Sequence, residues 1–376
     1  MTDVRRLDEV CEIIMGQAPN GEAYNNDGIG WPLIAGAGDF GETTPQPKKF
    51  TTESSKLSRA GDVIIGIRAT IGEQVIADGE YCLGRGVAAL RASMPLEARF
   101  LWHWLTHTKL QLAGKARGAT FKQVSKKDIG ELQIDLPALK VQRRIVDILD
   151  QADALRTQRL AALAQLDTLT QAIFLDMFGD PVTNTRGWPN KKLVDVGSLD
   201  RGVSKHRPRN APELIGGPYP LVQTGDVANC EGYIRTYNST YSDIGLQQSK
   251  MWPSGTLCIT IAANIAKTGI LTFDACFPDS VVGFHSIDPS TIEYVRIWLS
   301  FLQKRLEETA PESAQKNINL AILRELDIPF PPLAFQHEFA HRIAATEKLK
   351  TAHRVSLVKM DELFASLQYR AFQGEL

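Results

Sequence analysis

Two short stretches of the chain concentrate positive charge without any acid. Residues 115–127, Lys-Ala-Arg-Gly-Ala-Thr-Phe-Lys-Gln-Val-Ser-Lys-Lys, hold five basic residues. Residues 201–209, Arg-Gly-Val-Ser-Lys-His-Arg-Pro-Arg, hold four and a histidine. Interleaved with Gly, Ser, Thr and Gln, such clusters suit a grip on phosphates combined with contacts to base edges. Solvated loops also carry Lys and Arg, so charge alone leaves both readings open. A third constellation, His337-Glu338-Phe339-Ala340-His341, has the H-E-x-x-H spacing that puts two histidines on one helix face for zinc. No glycine follows at the spacing of the longer zinc-protease signatures, although His353 could supply a third nitrogen. Exposed polar residues on a helix account for it better. His103 and His107 are also four apart, without the glutamate, and read as surface or packing histidines. Phe330-Pro-Pro-Leu333 lacks the polar residue of an adenine-methyltransferase motif. The chain has no Walker A sequence. Gly28-Ile-Gly30 lacks the third glycine of a dinucleotide site.

The elements that must position these residues come in duplicate. An offset of 194 residues aligns two long stretches without a gap: Gly61/Gly255, Ile65/Ile259, Ile67/Ile261, Ile76/Ile270, Cys82/Cys276, Val87/Val281 and Trp104/Trp298. The register continues through Lys122/Lys316, Ile134/Ile328, Pro137/Pro331, Gln142/Gln336 and Phe178/Phe372. Nearer each start, Pro32-Leu33-Ile34 resembles Pro220-Leu221-Val222 at an offset of 188, so the early parts have absorbed insertions.

Each half has two textures. Residues 1–135 and about 186–329 are rich in Gly, Pro and short β-branched runs. Gly61 to Ile71 and Gly255 to Ile265 read as buried strands, and Phe100–Ala113 and Tyr294–Leu306 have helical spacing. These are compact α/β-type domains. Residues 138–179 and 332–374 lack internal Gly and Pro. Pro137 and Pro331-Pro332 mark their starts, and Gly179-Asp180-Pro181 stops the first. In the second, Phe339, Ile343, Thr346, Lys350, His353, Leu357, Met360, Phe364, Leu367 and Ala371 follow a 4-3 spacing. Their partners at the offset are Ile145, Leu149, Ala152, Arg156, Arg159, Leu163, Leu166, Thr170, Ile173 and Met177. This is a heptad seam with polar residues in its middle. A helix of about 40 residues is about 60 Å long, more than a small domain can cover. Its simplest partner is its own copy, antiparallel about a pseudo-two-fold axis. The expected fold class is α+β: two α/β-type domains joined by two long helices in an antiparallel coiled coil. The expected boundaries are 1–137, 138–180, 181–331 and 332–376.

Composition bounds the remaining classes. The 376 residues are 43% hydrophobic and 23% charged, which excludes a mostly disordered chain. No apolar run approaches the roughly 18 residues of a membrane span, and no apolar segment follows the start as in a secretory signal. Five scattered cysteines fit a reducing compartment, hence the cytoplasm. The balance of 42 Lys+Arg against 43 Asp+Glu says nothing against a polyanion, because the cations are concentrated locally.

The residues then resemble the specificity (S) subunit of type I restriction–modification enzymes along nearly the whole chain. The resemblance rests on Gly16-Gln-Ala-Pro, Gly38-Asp39-Phe40, Gly61-Asp62-Val63-Ile64-Ile65, Arg68-Ala-Thr-Ile-Gly72, Gly84-Arg85-Gly86, Gly118-Ala-Thr-Phe121-Lys122, Leu136-Pro137-Ala-Leu139-Lys-Val-Gln142 and Phe174-Leu-Asp-Met-Phe178-Gly-Asp-Pro181. In the second half it rests on Gln315-Lys316-Asn317-Ile318 and Phe330-Pro-Pro-Leu333-Ala-Phe-Gln336. It implies two target recognition domains, each reading half of a split duplex DNA site, with the helices as a spacer. It implies no catalysis and no cofactor on this chain. Two methyltransferase (M) subunits would use S-adenosylmethionine, and two restriction (R) subunits would use ATP and Mg. The candidate DNA contacts are Arg68, Arg85, Lys115, Arg117, Thr120, Lys122, Lys126 and Lys127 in the first domain, and Lys205, Arg207, Arg209, Lys267, Gln315, Lys316 and Asn317 in the second. Ala262 replaces Arg68 and Asp279 replaces Arg85 in the second half, so those roles are not mirrored. A protein-interaction scaffold with two paired binding domains is the rival reading, and a zinc hydrolase on His337 and His341 a third.

Overall fold

The computed structural model describes residues 3–376 other than 55, 119–121, 263–264 and 310–317. The chain divides into two units, residues 1–161 with 354–376, and residues 162–353. Each unit therefore takes one half of each long helix.

In the first unit an antiparallel sheet runs in the order Cys11–Met15, Val87–Ala92, Val63–Gly66, Gln74–Ile76. A smaller sheet runs Tyr24–Asn25, Lys49–Thr51, Trp31–Ile34, Cys82–Leu83, its last pair parallel. The helix Ala98–Gly114 covers the larger sheet with Phe100, Leu101, Trp104 and Leu105, and Ile145, Leu149 and Ala371 of the long helices complete that core. The second unit repeats the plan. Its main sheet runs Ser198–Arg201, Val281–His285, Leu257–Thr260, Thr268–Leu271, Gly232–Ile234. The helix Pro289–Thr309 supplies Tyr294, Val295 and Trp298 to a core closed by Phe174, Phe178, Phe339 and Ile343. The duplication persists in strand register: Val63↔Leu90, Ile65↔Ala88 and Val63↔Ile76 recur as Leu257↔Phe284, Ile259↔Val282 and Leu257↔Ile270.

The expected strands prove shorter than Gly61–Ile71 and Gly255–Ile265. They end at Gly66 and Thr260 because a tight turn follows. The Gly66 N–H donates to Glu73 O (2.8 Å) and the Gly72 N–H to Gly66 O (3.0 Å). Thr260 donates to Lys267 O and Ala266 to Thr260 O in the same pattern (3.0 and 2.9 Å). Apolar residues within the turns, such as Ile71 and Ile265, still pack into the cores, and hydrophobicity alone cannot distinguish that from strand.

The long helices span Leu139–Phe178 and Leu333–Phe372, 40 residues each. All twenty predicted seam residues are buried or half-buried. In the first unit, Arg156 of the first long helix donates from Nε to Asp361 Oδ1 of the second (2.7 Å) and lies over Phe364 (4.6 Å). In the second unit, Thr170 accepts from Lys350 Nζ (3.3 Å), and Phe174 packs edge-on against Phe339. Early residues of one helix meet late residues of the other in each unit, which is antiparallel pairing. The polar mid-seam residue Lys350, only 4% exposed, is balanced by Asp167 (2.8 Å) and Glu347 (3.1 Å). Such a buried charge disfavours registers that would leave it unpaired. Two duplicated glutamines fasten the helix starts. Gln142 donates to Pro95 O and Pro137 O and accepts from the Glu97 N–H, all at 2.9 Å. Gln336 donates to Pro331 O and accepts from Thr291 Oγ1, both at 2.8 Å.

His103, on the Ala98–Gly114 helix, is buried and donates from Nε2 to Asp150 Oδ1 (2.7 Å) on the first long helix. Burial holds its imidazole below the ordinary histidine value of 6.5, against the pull of Asp150. Burial of Asp150 is outweighed by hydrogen bonds from Arg99 and His103, which keep its carboxyl below the usual range. The native state thus holds His103 neutral, while the unfolded chain takes up a proton near the ordinary value. Stability from this site is full above that value and falls as the pH drops from about 6.5 towards the lower native pKa. Melting curves of the wild type should lose more stability between pH 7.5 and 5.5 than those of a His103→Asn variant. Parallel pH profiles would contradict this.

Candidate nucleic-acid interface

In the first unit the basic segment is anchored at the turn that ends the central strand. The Val124 N–H donates to Ile67 O (3.0 Å), and Arg117 and Gln123 exchange backbone hydrogen bonds (3.0 and 2.9 Å). The intervening loop therefore starts and ends at one place. Gln123 Oε1 accepts from Arg68 Nε (3.0 Å), which draws Arg68 to the same loop. Ser125 then caps the short helix Lys126–Gly130 through a capping box with Asp128. Hydrogen bonds from Ser125 hold the Asp128 carboxyl below its usual range. Lys122, Lys126 and Lys127 are exposed, and Lys115 is half-buried. The Arg117 side chain is 86% exposed, 3.8 Å from Asp128, and Lys127 is 79% exposed, 3.7 Å from Glu131. Pairs this long and exposed hold their cations weakly, so both charges remain available to a phosphate. Arg85 is exposed on a separate loop. Thr120 lies outside the described residues.

The second unit reproduces the anchor and changes the charges. The Ile318 N–H donates to Ile261 O (3.1 Å), the counterpart of Val124 on Ile67. Gln315, Lys316 and Asn317 lie just before it, outside the described residues. Lys267 is half-buried at the neighbouring turn, where its backbone N–H donates to Thr260 Oγ1 (3.1 Å). Lys205, Arg207 and Arg209 sit on the loop after strand Ser198–Arg201. Two residues absent from the predicted set fix its backbone. Gln248 Oε1 accepts from the N–H groups of Lys205 (2.7 Å) and His206 (3.0 Å), and Ser249 Oγ donates to Val203 O (2.8 Å). A third, Asp279, gathers the arginines. Its carboxylate takes Arg209 and, at 3.5 Å, Arg207, while its carbonyl accepts from Arg201 Nε (2.9 Å).

Asp279 occupies the position of Arg85 at the 194 offset. The loops beside them correspond as well: the Gly16 N–H donates to Val87 O and the Gly202 N–H to Val281 O. In the first unit this position is one exposed arginine. In the second it is one aspartate whose carboxylate holds two arginines and whose carbonyl holds a third, so positive charge remains in excess in a different geometry. The offset alone marks Asp279, whereas Gln248 has no sequence signal.

Two residues of the zinc-like motif, His337 and Glu338, take part in ordinary surface contacts. His337 meets Asp288 Oδ2 (2.6 Å), and Glu338 accepts from Arg342 (2.8 Å). Among the described residues no group of three His, Cys, Asp or Glu could hold a metal, and no helix is long and apolar enough to cross a membrane.

Residues 2–165 and 185–355 each match the family model for the type I restriction modification DNA specificity domain. The chain belongs to that family. It is 22% identical, over 98% of its length and 85% of the relative's, to the specificity subunit of the type I restriction enzyme EcoBI of Escherichia coli. It is 34% identical over 145 residues to the MjaX specificity subunit of Methanocaldococcus jannaschii, a match that spans 38% of this chain and 34% of that relative. Among solved structures it shares its fold with the S subunit of a type I restriction-modification system from M. genitalium. That match has a TM-score of 0.59 and 14% identity and covers 99% and 96% of the two chains. A chain from a study of the assembly and conformational transition of the type I system matches with a TM-score of 0.61 and 20% identity, covering 100% and 98%.

Proposed function

We propose that this chain is the DNA-reading subunit of a type I restriction–modification complex in the cytoplasm, recognising a bipartite duplex site and performing no bond chemistry itself. The observation that supports this most is the repeated anchor. In each unit the residue two places after a lysine in the sequence, Lys122 or Lys316, is tied to the same turn, Val124 to Ile67 and Ile318 to Ile261. Two copies of one reading head suit two half-sites a fixed distance apart. Within each, exposed cations grip phosphates and amide or hydroxyl side chains read base edges. The half-site domains are residues 1–137 and 181–331, with 138–180 and 332–376 as the spacer that sets the gap.

The partners in this reading are two methyltransferase and two restriction subunits. They hold S-adenosylmethionine, ATP and Mg and carry out adenine N6 methylation and cleavage. The long helices leave Leu155, Leu160, Val355, Val358 and Leu363 exposed in the first unit, and Leu169 and Leu349 in the second. Apolar side chains in such number on otherwise polar helices suit protein partners, which favours docking of the methyltransferase there.

Lys122→Ala tests the phosphate grip. Binding should weaken across all sequences, and the slope of log affinity against log salt should shrink by about 0.9, one phosphate contact. An unchanged slope would remove Lys122 from the interface.

A further inference from the structure

The two units differ at one matching place. In the first, the Gly84 N–H donates to Ile34 O (2.8 Å), which pulls the 84–86 loop onto the end of strand Trp31–Ile34. A Cβ on Gly84 would lie 2.9 Å from Ala35 Cα, and one on Gly86 2.3 Å from Ala35 O, so no side chain fits between them. In the second unit these positions are Pro278 and Ser280. Proline has no N–H to donate, so that closing bond cannot form. At the 188 offset, two residues past the end of the matching strand Ile215–Leu221, Gln223 stands in place of Ala35.

A cavity of about 630 Å³ lies there, lined among others by Ser204, Arg209, Asn210, Gln223, Ser239 and Pro278. Its size falls within the range of ordinary ligand sites. Gln223 Nε2 donates to Ser239 Oγ (3.3 Å) across it, and Arg209 is held at its edge by Asp279. Asn210 is exposed, and its amide makes no hydrogen bond among the described residues. Ser204 is 6% exposed, and its hydroxyl is buried without a hydrogen-bond partner among the described residues. A buried polar atom left unpaired costs stability, so its retention points to a ligand that completes it.

We propose that this cavity is the base-reading site of the second unit, taking the edge of a nucleobase presented by duplex DNA. The inference rests on the DNA-recognition reading above and deepens it. Amides of Asn and Gln match the donor–acceptor pair of adenine, and serine hydroxyls serve either role. The arginines gathered by Asp279 supply the phosphate contacts beside it. The first unit, closed by glycine packing at this place, reads its half-site with other residues, so the two halves of the site differ in sequence.

The test uses the full chain with its methyltransferase and selects bound sequences from a random duplex library. Two variants change side-chain groups that make no bond among the described residues, Ser204→Ala and Asn210→Asp. Both should melt at or above the wild-type temperature. Asn210→Asp replaces a donor–acceptor pair with acceptors only, so preference should move towards cytosine at one position. Ser204→Ala should lose discrimination at a position of the same half-site. Each change should be roughly tenfold or more, with the other half of the motif intact. Unchanged motifs in both variants, or equal changes in both halves, would overturn the cavity assignment while leaving DNA recognition in place. A wild type that enriches no motif would overturn DNA recognition itself.

Discussion

Phe339→Ala is expected to destabilise the 162–353 unit by about 3–5 kcal/mol, a large share of the roughly 5–15 kcal/mol that holds a protein folded. Phe339 is fully buried at a seam position of the second long helix. Its ring lies 5.6 Å from Phe174 and 5.2 Å from Phe178 of the first, both edge-on, and Tyr294 packs against the same pair. Alanine would leave a cavity lined by rigid rings that cannot collapse inward, and cavity volume sets the size of the loss. Leu349→Ala, ten residues on along the same helix and 53% exposed, removes an apolar side chain without opening a void. It should change stability by no more than about 0.5 kcal/mol. Urea unfolding of the two variants checks the contrast. A Phe339→Ala loss below about 1 kcal/mol would mean that the seam does not close this core.

Lengthening both long helices by one heptad is expected to widen the gap between recognised half-sites. Seven residues inserted between 150 and 165, with seven more at the antiparallel level of the second helix, extend each by about 10 Å. At about 3.4 Å per base pair this corresponds to roughly three base pairs. A heptad returns every seam residue to its own side, so Arg156 can still reach Asp361 and Lys350 can still reach Thr170. A four-residue insertion in one helix alone shifts the seam register and should abolish recognition. Retention of the original gap after the paired heptad insertion would reject the helices as the ruler.

Much of the fold was legible because its signals are periodic. The offset of 194 reappears as strand register, and the 4-3 spacing as burial at every seam position. Pro137, Pro331 and Gly179 punctuate the helices as their backbone chemistry requires, Gly179 at φ +76°. What was not legible depends on contacts between residues far apart in sequence. Gln248 orders the basic loop from more than 40 residues away, and Gln142 binds Pro95 across a similar span. A polar side chain that ties one loop to another has the same composition as one facing solvent. The strand ends at Gly66 and Thr260 were missed because the turns that follow them carry apolar residues into the core. Asp279 was seen as a departure from Arg85, but its part in gathering Arg207 and Arg209 needed the fold.

The central claim is that one chain reads two half-sites at a fixed spacing. It is tested most directly by mapping every methylated adenine in random-sequence DNA exposed to this chain and its methyltransferase subunits. The account predicts a single motif of two unlike parts with one constant gap, and no methylation when the chain is omitted. A contiguous motif, a variable gap, or the same methylation without the chain would contradict it.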